Sequence, residues 1–302
     1  MRLLICIQSW FSNLGKTFAS CIRILLQSTF SNILAIKFNQ KEVCLILGNG
    51  PSLKQTIDTY PAETLQQFDL MAVNQFADTD YFSVLQPKFY LLNAVSYFQE
   101  ETELSPLYQN LRKELYKSLS EKITWDMYLI VPFRAKKSSN FKDLLNSNPH
   151  IHAVYFNQTP GEGFTCFTNF VFNRAWAMPR PHNVLIPGIM HAIHLNYKTI
   201  AIVGSDHSWL AEISVTSNNE ALVHQKHYYD EQTSRPELMQ DYITRPRKLH
   251  EILHKFYLSF KGYWDIDTYS KKRKASIYNC SEVSMIDAFE RKSLSELRKS
   301  QS

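Results

Sequence analysis

"LILGNGPSLKQT", Leu45–Thr56, is the stretch on which the fold turns. The apolar run Val43–Leu47 has the length of a buried strand and passes directly into Gly48-Asn49-Gly50-Pro51-Ser52, a tight turn that exposes its backbone. The same arrangement recurs outward from it. "FDLMAVNQF" and "KFYLLNAV" are apolar runs of strand length, each ending on a polar residue, and "MYLIVPF", "AVYFN" and "KTIAIVGSD" follow as further strands. Between them "LKQTIDTYPAETLQQF", "ELSPLYQNLRKELYKSLSEK" and "NVLIPGIMHAIHLNY" read as helices. Strands alternating with helices predict an α/β fold, a mostly parallel sheet with helices on both faces. In such sheets ligands bind where the chain leaves the carboxyl ends of the strands, and the turn at Gly48 lies at such an end.

Composition narrows the partners. The 302 residues, 44% hydrophobic and 13% aromatic, supply a sizeable core. A net charge of +5, with basic residues interspersed among acidic ones, does not favour a nucleic-acid partner. Cys6, Cys21, Cys44, Cys166 and Cys280 are odd in number and widely spaced, which fits reduced thiols in a cytoplasmic protein and neither a disulfide framework nor a zinc site.

The turn has a chemistry of its own. Gly48 and Gly50 permit backbone angles closed to other residues and let a ligand approach the main chain, while the N–H groups opening the next helix, from Ser52, face an anion. The sequence is neither a Walker A motif nor a full GxGxxG, so a phosphate site and a plain strand-to-helix turn both remain open. Asn49, Asn74 and Asn93 close three successive strands, and an amide suits the edge of a nucleobase or the hydroxyls of a ribose.

"LILGNGPSLK", "FDLMAVNQF" and "PKFYLLNAVSYFQE" resemble the opening of the bacterial lipooligosaccharide sialyltransferases, glycosyltransferase family forty-two, and a wider group that includes the MptE-like pterin diphosphokinases. "NYKTIAIVGSDHSW", "HYYDE" and "SIYNCSEVSMIDAFERK" continue the resemblance, in patches from Glu42 to Lys292. It implies a Rossmann-like domain with a lid, a CMP-sialic acid donor, no metal and no other cofactor. Asn49, Asn74 and Asn93 would then contact cytidine and phosphate, with Gly48, Gly50 and Ser52 in the same nucleotide-binding set. Gly204 matches the glycine closing a later strand, Asp206 falls where it could meet an ion or a ribose, and Tyr228 matches a tyrosine that hydrogen-bonds the departing phosphate.

The chain departs from that pattern at two places. His207-Ser208 stand where the family has an aromatic pair, and Glu231 stands where it has its catalytic histidine. The base that takes the proton from the acceptor hydroxyl is therefore sought among His207, His227 and Glu231. The reaction implied is an inverting, metal-independent transfer of a CMP-activated sialic or other nonulosonic acid to a glycan or lipid-linked glycan. Two further readings stay open. Asp78-Thr79-Asp80 and Asp265-Ile266-Asp267 have the form by which metal-dependent nucleotide-sugar transferases hold a divalent ion, and in a diphosphokinase Asp206 would help hold one. A nucleotide-binding module that has lost its base is the other.

Residues 1–41 form a basic, amphipathic extension. Arg2, Lys16, Arg23, Lys37 and Lys41 are its only charged side chains, and the first carboxylate is Glu42. The polar interruptions fit neither a signal peptide nor a membrane span, which leaves a helix on an anionic membrane surface or one packed on the domain. The organisation expected is this extension, a domain over 42–292 with a lid at about 207–245, and a polar tail at 293–302. "TPGEGFTCFTNF", Thr159–Phe170, is expected to offer acceptor contacts from a mobile loop. The protein is expected in the cytoplasm, peripheral to the inner face of the membrane, with self-association into a homo-oligomer left open.

Overall fold

The computed structural model describes residues 2–224, 235–239 and 245–299. The strands are β1 Val43–Leu47, β2 Asp69–Val73, β3 Phe89–Leu91, β4 Met127–Pro132, β5 Ile151–Phe156, β6 Thr199–Val203, β7 Ile213–Val215, β8 Ala221–Val223, β9 Glu237–Leu238, β10 Ser276–Asn279 and β11 Glu290–Arg291. The helices are α1 Arg2–Gln27, α2 Ser52–Thr59, α3 Ala62–Leu65, α4 Tyr81–Leu85, α5 Pro106–Lys122, α6 Ser139–Ser147, α7 Thr165–Asn173, α8 Leu185–His194, α9 Leu249–Lys272 and α10 Leu294–Lys299.

Eight strands form one sheet in the order β11-β10-β6-β1-β2-β3-β4-β5, parallel throughout. This is the Rossmann-like α/β architecture expected. The chain winds outward from β1 to β5, then returns to lay β6 on the other side of β1, where Leu47 pairs with Val203. The strand order reverses there, so a crevice opens at the carboxyl ends of β1 and β6.

Period-two alternation divides the core. Val43, Leu45 and Leu47 of β1 face the layer built by α2, α5, α6 and α10, with Leu53, Leu115, Phe141 and Leu297. Cys44 and Ile46 face the opposite layer, built by α8 and α9, with Ile189, Ile193, Tyr263 and Tyr269. A strand covered on both faces is apolar at every position, which is why β1 reads as an unbroken hydrophobic run.

Within 207–245 the described residues form an antiparallel three-stranded sheet, β7-β8-β9. Ala221 and Val223 of that sheet pack with Ile252 and Phe256 of α9, and Trp209 and Met239 lie against them. Thr159–Phe170 is not an open loop along its length: α7 begins at Thr165, and Ser20 of α1 exchanges hydrogen bonds with the backbone of Glu162.

Candidate functional site: a cationic cleft at the strand-order reversal

Two loops meet at the crevice, one after β1 and one after β6. Gly48 N–H donates to the Val203 carbonyl and Gly50 N–H to the Gly204 carbonyl, both at 2.8 Å. The glycines serve that contact. A Cβ on Gly48 would stand 2.4 Å from the Gly204 carbonyl oxygen, and one on Gly50 would stand 1.9 Å from the Asp206 carboxylate. Gly204 has φ +62 and lies beneath Leu53. The space read in the sequence as room for a ligand is thus filled by the neighbouring loop.

The head of α2 is filled in the same way. Ser52 donates its N–H to Asp206 Oδ1 at 3.1 Å and its hydroxyl to Oδ2 at 2.8 Å, and Leu53 N–H donates to the Gly50 carbonyl. A resident carboxylate therefore occupies the position at which a phosphate was expected, and favourably, since it lies at the positive end of a helix. Asp206→Ala is expected to destabilise the fold by about 1–2 kcal/mol by leaving two buried donors unmet. A urea-unfolding midpoint unchanged from the parent would contradict that role.

Behind these loops lies a cavity of about 680 Å³. Asn49, Asn74 and Asn93 all line it, together with Gly50, Gly204, Asp206, His207 and Ser208. The three amides are not equivalent. Asn93 is spoken for, with its Nδ2 donating to the Pro181 carbonyl and its Oδ1 accepting from Gln158. Asn74 adopts φ +53 and its carbonyl accepts from the Tyr90 hydroxyl. Asn49 is 8% exposed, and neither its Oδ1 nor its Nδ2 has a partner among the described residues. A buried amide without partners costs free energy that a ligand can recover.

The remaining wall is cationic. Arg134, Arg180 and Lys255 line it beside the imidazole of His182, and Asp206 is the single carboxylate among the lining residues described. Arg180 is held by Glu162 in a two-pronged ion pair at 3.0 and 2.7 Å. Lys255, on α9, is half-buried, and among the described residues its ammonium meets only the Met239 sulfur at 3.8 Å. Burial, and then the charge of Arg247, lower its pKa. Burial also takes His182 down to about 4, helped by Lys255, Arg180, Arg247 and His254. Such a field favours an anion.

His207 sits on this wall in the left-handed region, φ +52. Its Nε2 is 2.6 Å from the Tyr263 hydroxyl, which donates in turn to Asn183 Oδ1 at 3.0 Å. That order makes Nε2 the protonated nitrogen. Asn183 Oδ1 also accepts from the N–H groups of Leu185 and Ile186, so this chain of bonds ends on the first turn of α8. Burial lowers the His207 pKa to about 3. Buried, and with Nε2 donating to Tyr263, this imidazole is ill suited to take a proton at neutral pH, which weighs against His207 among the three candidate bases. His227, Tyr228 and Glu231 lie outside the described residues.

The Asp-x-Asp pairs lie elsewhere. Burial raises the Asp78 carboxyl, which a hydrogen bond from Ser118 and the charge of Lys122 oppose, and neither Asp78 nor Asp80 lines the cavity. Asp265 pairs with Lys261 and Asp267 with Lys271, each one turn away on α9.

Sequence reading missed the wall's aromatic and basic members. Trp209 and Phe256 stand with ring centroids 4.0 Å apart, beside Lys255. Lys255 and Phe256 come from the amphipathic helix α9, where nothing local marks them out. "PRPHN", Pro179–Asn183, did carry a signal, a Pro-rich loop ending in a helix-capping Asn.

No family model matches the chain, and no curated protein is significantly similar to it. One solved structure similar in fold is the MAf glycosyltransferase from Magnetospirillum magneticum AMB-1, at 12% identity and a TM-score of 0.48. The match covers 90% of this chain but 35% of that one. A likeness at this level leaves the function to be argued from the cleft itself.

Proposed function

We propose that this chain is a glycosyltransferase that takes a nucleotide-activated sugar, with a CMP-activated sugar acid as the donor and a glycan as the acceptor. Asn49 carries the proposal: a buried amide whose donor and acceptor have no partner among the described residues, at the carboxyl edge of a parallel sheet, is suited to a base or ribose. The excess of cations on the wall supports a donor bearing both a phosphate and a carboxylate. In this reading Asn49 and Asn74 hold the nucleoside, and Trp209 and Phe256 offer it an aromatic face. Arg134, Lys255 and His182 meet the negative groups.

The reaction follows from the donor. The bond between the anomeric carbon and the phosphate oxygen breaks, CMP departs with the electron pair, and the acceptor hydroxyl attacks from the opposite side. Lys255 and Arg134 stabilise charge growing on the phosphate. The Tyr228 hydroxyl, matched through the family resemblance, would assist them. Protonation of the base, His227 or Glu231 by the same resemblance, completes the transfer.

The test is a thermal-shift titration of the whole protein with CMP, UDP, GDP and ATP, each with Mg²⁺ and with EDTA. CMP at a hundredfold excess over its dissociation constant is expected to raise the melting temperature by roughly 5 °C, alike with Mg²⁺ and with EDTA. Asn49→Ala should remove the rise. Stabilisation only by another nucleotide with Mg²⁺ would overturn the proposal in favour of a metal-dependent transferase or a diphosphokinase.

A further inference from the structure

Helix α1 attaches to the domain mainly by polar side chains, with Ile24 packed against the core and Trp10 beside Phe164. Thr17 Oγ1 accepts from Phe164 N–H at 3.0 Å, Ser20 exchanges two bonds with Glu162, and Arg23 pairs with Glu162 at 3.3 Å. Gly163 lets the two backbones approach, since a Cβ there would stand 2.0 Å from Thr17 Oγ1. A helix that belonged only to a water-soluble domain would dock the other way round, apolar side inward.

The side turned from the domain carries Leu4, Ile7, Phe11, Leu14, Phe18 and Leu25, spaced by threes, fours and one seven, so that they form one stripe. These residues are 43% to 83% exposed. From Leu4 to Leu25 the stripe runs roughly 30 Å at the α-helical rise. Among the described residues no helix is long and apolar enough to cross a membrane. The charges of this segment are of one sign, since Arg2, Lys16, Arg23, Lys37 and Lys41 precede any carboxylate.

We infer that α1 docks this protein flat on an anionic phospholipid surface, with the apolar stripe buried among the upper acyl chains. Burial of the stripe acts together with attraction to acidic headgroups of the basic side chains that the domain does not engage, Lys16 and Lys37 among them, since Arg23 is held by Glu162 and Lys41 by the Gln66 and Phe68 carbonyls. The uniform positive charge favours such a surface over a second copy of this chain, whose own α1 would bring like charges together.

The attachment also reaches the cavity. Glu162 binds Arg23 of α1 and Arg180 of the cavity wall, and Ser28, just beyond α1, donates to Thr159 at 2.8 Å. Docking therefore holds the cleft at a set height above the lipid. This last step rests on the transferase reading, and suits an acceptor carried on a lipid. The docking itself does not depend on that reading.

The experiment is sedimentation of the full chain with vesicles of phosphatidylcholine alone and with about 30% phosphatidylglycerol. The protein should sediment with the anionic vesicles, several-fold less at roughly 0.5 M salt. Phe11→Ser/Phe18→Ser should weaken binding at least tenfold, with the melting temperature and any CMP-dependent rise kept, because both rings are more than 60% exposed. Absence of wild-type binding, equal binding by the variant, or a lipid-free dimer that the variant separates would each overturn the proposal. A lost CMP response with retained vesicle binding would count against the transferase reading alone.

Discussion

Acidification from pH 7 to 5 is expected to remove about 4 kcal/mol of unfolding free energy through two histidines, His194 and His207. Burial lowers their pKa from 6.5 to about 4 and about 3, respectively. His194 Nε2 lies 2.7 Å from the Phe172 carbonyl, which opposes that lowering, and Arg273 adds to it. The sign follows from proton uptake. Both groups stay neutral in the fold, while the unfolded chain protonates them below about 6.5, so their contribution is complete above that pH and lost as pH falls towards 4 and 3. His191 pulls the same way: it is fully buried against Phe156, neither ring nitrogen has a partner among the described residues, and burial, then His194, hold its pKa well below 6.5. Urea unfolding at pH 7, 6 and 5 measures the slope, which for each such histidine approaches about 1.4 kcal/mol per pH unit only below about 6.5. His194→Gln should flatten it by one such increment. A stability level across this range would refute the assignment of these side chains as neutral and buried.

Gly48→Ala is expected to cost about 3 kcal/mol or more, and Gly188→Ala to be neutral or stabilising by up to about 1 kcal/mol. The new methyl at position 48 would meet backbone only, the Gly204 carbonyl at 2.4 and 2.9 Å and the Val203 oxygen at 2.9 Å, so one loop must move. Moving it breaks the bonds from Gly48 and Gly50 and shifts Asp206 from Ser52. At position 188, inside α8, the nearest atoms are Ile46 Cγ2 and Met71 Sδ at 3.7 Å, ordinary contact distance, and helix propensity favours alanine. The pair separates a glycine required by close approach from one that is not. Equal melting temperatures for the two variants would mean that the loops do not meet as described. Any nucleotide response should also be lost in the first variant and kept in the second, since Asn49 lies between the glycines that fix its loop.

Much of the cleft was legible because it is written locally. A strand buried on both faces is apolar at almost every position, so β1, β2, β3, β4 and β6 declare themselves. Asn49, Asn74 and Asn93 follow β1, β2 and β3 within two residues, and adjacent parallel strands bring their ends together on one edge. The amphipathic character of α1 was equally plain, because a period of about four residues is a property of the chain itself.

The partners of those elements were not legible. Gly48 and Gly50 require a close neighbour, and the sequence does not say whether it is a phosphate or a loop more than 150 residues away. The placement of β6 beside β1 decides that, and with it Asp206 comes to α2. Lys255 and Phe256 reach the cavity because α9 packs where it does, and α1 turns its stripe outward because Glu162–Phe164 offers polar groups to its other edge. Sequence alone determined the alternation of strands and helices, the amides at the strand ends and the stripe on α1, all of which depend on spacing along the chain. Tertiary structure decided which space the glycines leave, which amide stays unpartnered and which way α1 faces, since each depends on what a distant segment brings to the contact.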